Sequence, residues 1–81
     1  NFMGKQLAEI KQKLGQPSLT RSDGSVHMVR YDSSSCRLFI FFNLNSNVQR
    51  VEYFEFRDSL GELINTKQSI EECYKEYEFT N

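Results

Sequence analysis

The chain has 81 residues, a size suited to one small domain over residues 1–81 that buries roughly 60% of its unfolded surface on folding. Hydrophobic residues make up 38% and aromatic residues 14% of it, with seven Phe and four Tyr, enough large rings for a compact core. Ten basic and eleven acidic side chains leave a net charge of −1, which excludes the electrostatic footprint of a nucleic-acid binder or of a protein held on an anionic membrane surface.

The spacing of Leu7, Ile10 and Leu14 predicts an amphipathic helix within residues 4–17, fronted by Gly4 and stopped by Gly15 and Pro17. Glu9 and Lys13 form a favourable i,i+4 pair on its polar side. Residues 18–21 and 26–31 then flank Ser22-Asp23-Gly24-Ser25, where Asp-Gly between extended segments predicts a hairpin. After a polar turn at 32–35, residues 36–43 read as a strand. Its apolar face is Cys36, Leu38, Ile40 and Phe42, and its other face is Arg37, Phe39, Phe41 and Asn43. A turn at 44–47 leads to a further strand at 48–57. There Val51 and Tyr53 are expected on one face and Phe54 and Phe56 on the other, which suits a central or edge-covering strand, or a bulge that switches register.

Residues 58–65 form a loop around Gly61, with Leu60, Leu63 and Ile64 expected to tuck back onto the sheet. The last element is a helix with Ser69 as N-cap, in capping-box spacing with Glu72, and Ile70, Cys73, Tyr74 and Tyr77 along its apolar face. The expected fold is α+β in the order α-β-β-β-β-α, an antiparallel four-stranded sheet with an N-terminal and a C-terminal helix packed on one face. Its core is expected to hold Leu7, Ile10, Leu14, Leu38, Ile40, Phe42, Ile70, Cys73 and Tyr77.

Cys36 and Cys73 allow three readings: a structural disulfide, two buried thiols, or a metal or redox site. Neither lies in a CxxC, and His27 alone does not complete a usual zinc set. Cys36 points inward from the strand and Cys73 inward from the helix, which favours the bridge and an oxidising compartment. Ser33–Ser35 and His27 lack any nucleophile signature, and Glu71-Glu72, Glu52 and Glu55 fall on solvated faces, so no catalytic residue, metal or cofactor is expected. What the chain offers is a surface. With the even face of residues 36–43 under the helices, Phe39 and Phe41 face outward and Tyr53 joins them, flanked by Arg37 and Arg50 as a candidate protein-binding patch.

Gly4, Ile10, Leu14, Gly15 and Pro17 fit the pattern G-x-x-x-x-x-(I/V)-x-x-x-L-G-x-P, and the hairpin that follows ends in Val29-Arg30-Tyr31. In this the chain resembles the SmpA/OmlA domain, the family of small bacterial outer-membrane lipoproteins that includes the BamE subunit of the barrel-assembly machinery. The family's usual Trp-x-Tyr ending stands here as Val29-x-Tyr31. The β-lactamase-inhibitor-protein fold is similar too. The resemblance implies a non-enzymatic envelope module, periplasmic or outer-membrane associated, that binds another envelope protein. Its membrane attachment would be a lipid anchor upstream of Asn1, and a homodimer is a further expectation. A different class of function is inhibition of a secreted hydrolase by the sheet face or the 22–25 and 43–47 turns; a panel of β-lactamases and proteases discriminates it. A third is a cytosolic binding domain with free thiols.

Overall fold

A computed structural model describes residues 2–45 and 47–77. The order is α1 (Leu7–Leu14), β1 (Leu19–Asp23), β2 (Val26–Asp32), β3 (Arg37–Asn43), β4 (Val51–Arg57), β5 (Leu63–Ile64) and α2 (Lys67–Glu76). All five strands pair antiparallel with their chain neighbours as β1-β2-β3-β4-β5. The fold is α+β as expected, but the sheet has five strands, not four. Asp58 Oδ1 accepts the N–H groups of Leu60 and Glu62, each at 2.9 Å, and Gly61 takes a φ of 85°. The tight loop they form returns the chain so that Leu63 and Ile64 pair with Arg57 and Phe56. Leu60 does not tuck back: it sits at the loop tip, 87% exposed.

The first helix is shorter than its motif. Residues 4–6 are not helical; Gly4 N–H donates to Val51 O at 3.2 Å, Val51 N–H to Lys5 O at 2.8 Å, and Gln6 bridges Arg50. The Glu9 carboxylate accepts the Gln6 N–H at 2.9 Å, satisfying a donor that the first helical turn leaves open. In α2 the N-cap is Thr66, three residues before the expected Ser69, because the Thr66 hydroxyl accepts the Ser69 N–H at 3.2 Å.

One buried cluster holds Phe2, Ile10, Val29, Tyr31, Cys36, Leu38, Ile40, Phe42, Val51, Phe56, Cys73 and Tyr77. Leu7, Leu14 and Ile70, expected inside, are half-buried against it. The pairing of β3 with β4 shifts between Phe41 and Phe42, so Phe42 lies opposite Val51 and Phe41 opposite Tyr53. Glu52 is the extra residue of this bulge. It puts Val51 in the core and leaves Tyr53 53% exposed, so the two do not share a face. Phe54 and Phe56 lie opposite Ile40 and Leu38 on the core side. The turn expected at 44–47 includes Ser46, and the anchor point upstream starts from Asn1; both residues lie outside the described ones.

Candidate functional site

Alternation along β3 divides its side chains cleanly: Leu38, Ile40 and Phe42 are buried, while Arg37, Phe39, Phe41 and Asn43 are half-buried on the opposite face. The strand register extends that second face into rows. Arg21, Met28, Phe41 and Tyr53 form one row across four strands. Leu19, Arg30, Phe39 and Glu55 form the next. Asp32, Arg37, Arg57 and Leu63 follow on one side, and Asp23, Val26 and Asn43 on the other. The apolar centre is Met28, Phe39, Phe41 and Tyr53, with the Phe41 and Tyr53 rings 5.6 Å apart. A hollow of about 340 Å³ opens beside it, lined by Arg21, Asp23, Val26, Met28 and Phe41.

Charged groups hold the rim in place. Tyr53 donates to Glu55 at 3.1 Å, and Arg57 Nε meets the other Glu55 oxygen at 2.5 Å. The hydrogen bond to the Glu55 carboxylate, with its charge, pushes the Tyr53 hydroxyl above its ordinary pKa. Asp32 is ion-paired with Arg30, whose Nη2 donates to it at 3.2 Å, and lies 3.8 Å from Arg37 Nε. Of the five residues expected as a patch, Phe39, Phe41, Tyr53 and Arg37 share this face. Arg37 also donates to the Ser33 and Cys36 carbonyls, both at 3.3 Å, so it secures the β2–β3 loop. Arg50 stands just before β4, and its guanidinium donates to Gly4 O at 3.0 Å, fastening the N-terminal segment to the sheet edge. Met28, Arg30 and Glu55 were missing from the expected patch; only the strand register could have brought them to it.

No family model, curated protein or solved structure matches this chain.

The motif residues are structural. Gly15 ends α1 with a φ of 81°, and its N–H donates to Lys11 O at 2.8 Å. Its carbonyl accepts the Tyr31 hydroxyl at 2.9 Å, so the glycine that stops the helix and the tyrosine that ends the hairpin form one joint. Burial raises the Tyr31 pKa. Leu14 packs against the core beside this joint. Cys36 and Cys73 form a disulfide with a Cα–Cα distance of 5.9 Å, both almost fully buried. The Tyr77 hydroxyl donates toward Tyr31 O and Cys36 O, locking the end of α2 onto the β2–β3 loop.

The groups that could have served nucleophilic chemistry go to different partners. His27 Nδ1 pairs with Ser22 Oγ at 3.0 Å. Ser33 and Ser35 hydroxyls and the Ser35 N–H instead donate to the Glu76 carboxylate. These bonds, the one from Ser33 foremost, hold Glu76 below its ordinary pKa. They border a cleft of about 510 Å³ lined by Lys13, Leu14, Asp32, Ser33, Ser34, Glu76 and Tyr77. Among the described residues no group of three His, Cys, Asp or Glu assembles that could hold a metal ion, and no helix is long and apolar enough to cross a membrane.

Proposed function

We propose that this protein is a non-enzymatic cell-envelope interaction module of the BamE kind, which binds another envelope protein through its outer sheet face and supports outer-membrane protein assembly or envelope integrity. The observation that carries the reading is the row Arg21, Met28, Phe41 and Tyr53 with its neighbour Phe39: an apolar centre rimmed by charge, on the sheet face opposite the core. The buried Cys36–Cys73 bond fits an oxidising compartment such as the periplasm. The reading takes both helices as packed on one face, as the SmpA/OmlA resemblance implies. Support comes from Ile10 of α1 and Cys73 of α2 sharing one buried cluster with Leu38, Ile40 and Phe42.

Deletion of the gene should make cells sensitive to antibiotics that an intact outer membrane excludes, and fractionation should find the oxidised protein in the envelope. Phe41→Glu with Tyr53→Lys should reproduce the deletion, whereas Glu71→Lys on the exposed side of α2 should not. A cytosolic protein with free thiols, or a fully functional Phe41→Glu/Tyr53→Lys variant, would refute the proposal.

A further inference from the structure

The two edges of the sheet are treated differently. At the start of β4 and just before it the N-terminal segment pairs at Val51 and Gln49, through Gly4 N–H to Val51 O, Val51 N–H to Lys5 O and Leu7 N–H to Gln49 O. At the far end of β4, β5 covers Phe56 and Arg57. The opposite edge is β1, which among the described residues pairs only with β2 and is exposed at all five positions. An open strand edge of this length is a template for another strand.

The hairpin defines what that edge presents. Asp23 and Val26 close a two-residue loop, so Asp23, Arg21 and Leu19 direct their backbone groups at β2. Ser18 N–H bonds to Arg30 O, which confirms the phase. The N–H and C=O groups of Thr20 and Ser22 therefore point to the open side. Arg21 and Asp23 lie two apart on the outer face. Neither has an ion pair or a side-chain hydrogen bond among the described residues.

We propose that β1 is a self-association edge, through which two copies of this chain join their sheets antiparallel about Ser22, with Arg21 of each copy opposite Asp23 of the other. Three symmetric registers bring Thr20 and Ser22 edge groups together. Centring on Arg21 sets two guanidiniums face to face and Leu19 against Asp23, which is repulsive. Centring on Thr20 leaves Asp23 with no cation opposite it. Centring on Ser22 lets the two Ser22 residues exchange backbone bonds. It also creates two Arg21–Asp23 pairs at the closely spaced positions of the ladder. The same register brings Leu19 of one copy diagonally beside Asp23 of the other, which lines the hollow described above. Leu19 is exposed in the single chain. The interface is isologous and closes after two copies, so it makes a dimer and not a filament. This inference stands apart from the envelope reading: the dimer forms or fails to form in purified protein whatever the cellular partner is.

The test is sedimentation equilibrium of the oxidised chain at low ionic strength, where an interface of two edge strands should give a Kd on the order of 100 µM. Arg21→Asp alone and Asp23→Arg alone should each weaken dimerisation by about tenfold or more, because each sets like charges opposite one another. The double variant Arg21→Asp/Asp23→Arg should restore it to within about threefold, as should mixing the two single variants. Every changed side chain is exposed, and far-UV circular dichroism verifies that each variant is folded. A wild-type chain still monomeric at about 1 mM would overturn the proposal. So would a double variant as dissociated as the single ones, or single variants that dimerise like the wild type.

Discussion

Phe2→Ala is the sharpest test of how the core is built. Phe2 has no exposed surface, although it stands ahead of the first regular element. Its ring lies 5.1 Å from Phe54, 6.1 Å from Phe56 and 5.3 Å from Tyr74, stacked on the last and edge-on to the others. Truncating a ring so enclosed loses transfer free energy and leaves a cavity, together about 3–5 kcal/mol. At about 0.05–0.15 kcal/mol per residue, a domain of this length has some 4–12 kcal/mol of stability in total, so the loss is a large fraction of it. With a guanidinium m-value of about 2 kcal/mol/M, the unfolding midpoint of the oxidised protein should fall by about 2 M. Phe2→Leu, which keeps most of the bulk, should cost only about 1 kcal/mol. The assay is guanidinium unfolding followed by far-UV circular dichroism. A midpoint shift under about 0.5 M for Phe2→Ala would mean that residues 2–6 are not part of the cooperative fold, and the account of the covered β4 edge would fall with it.

Replacing Cys36 and Cys73 by Ala opens a loop with a sequence separation of 37, which should destabilise the fold by about 4 kcal/mol; a loss below about 1 kcal/mol in chemical unfolding would contradict this. Tyr77→Phe removes the buried donor shared by the Tyr31 and Cys36 carbonyls, of which Cys36 O keeps the Ser33 N–H, and should cost about 1 kcal/mol by the same measurement. Burial raises the Tyr77 pKa above that of the unfolded chain, so its contribution is complete below the unfolded value and is lost as pH rises through the folded one. An alkaline unfolding limb that is not shallower in Tyr77→Phe would refute that assignment. Glu76 is the opposite case: its folded pKa is depressed by the Ser33 and Ser35 hydrogen bonds, so its contribution is present above the unfolded value and is lost as pH falls through the folded one. Acid titration of stability should therefore be flatter in Glu76→Gln than in the wild type, and identical acid limbs would exclude a stabilising role for the Ser33 and Ser35 bonds to Glu76.

The legible parts of this molecule are those in which a local pattern repeats. Cys36, Leu38, Ile40 and Phe42 alternate over a whole strand, so their burial and the outward turn of Phe39 and Phe41 could be read directly. Ile10, Cys73 and Tyr77 stood at helical spacing and lie in the core. Phe2 was invisible because a single residue ahead of Gly4 carries no period. The Gly4 N–H bond to Val51 that turns the chain back crosses 47 positions, and no spacing rule spans that separation. Leu63 and Ile64 were too few to read as a strand until Asp58 and Gly61 closed the loop before them.

By itself, then, the sequence determined the α+β class, the two amphipathic helices, the central strand and the inward aim of both cysteines, because each follows from side-chain periodicity within one element. Only the tertiary structure decided which rows cross the sheet. The bulge at Glu52 puts Val51 and Tyr53 on opposite sides, and the register then sets Met28, Phe41 and Tyr53 side by side. It also covered the β4 edge and left β1 open. Register and edge coverage depend on pairings between distant segments, and those are settled by burial of the shared core.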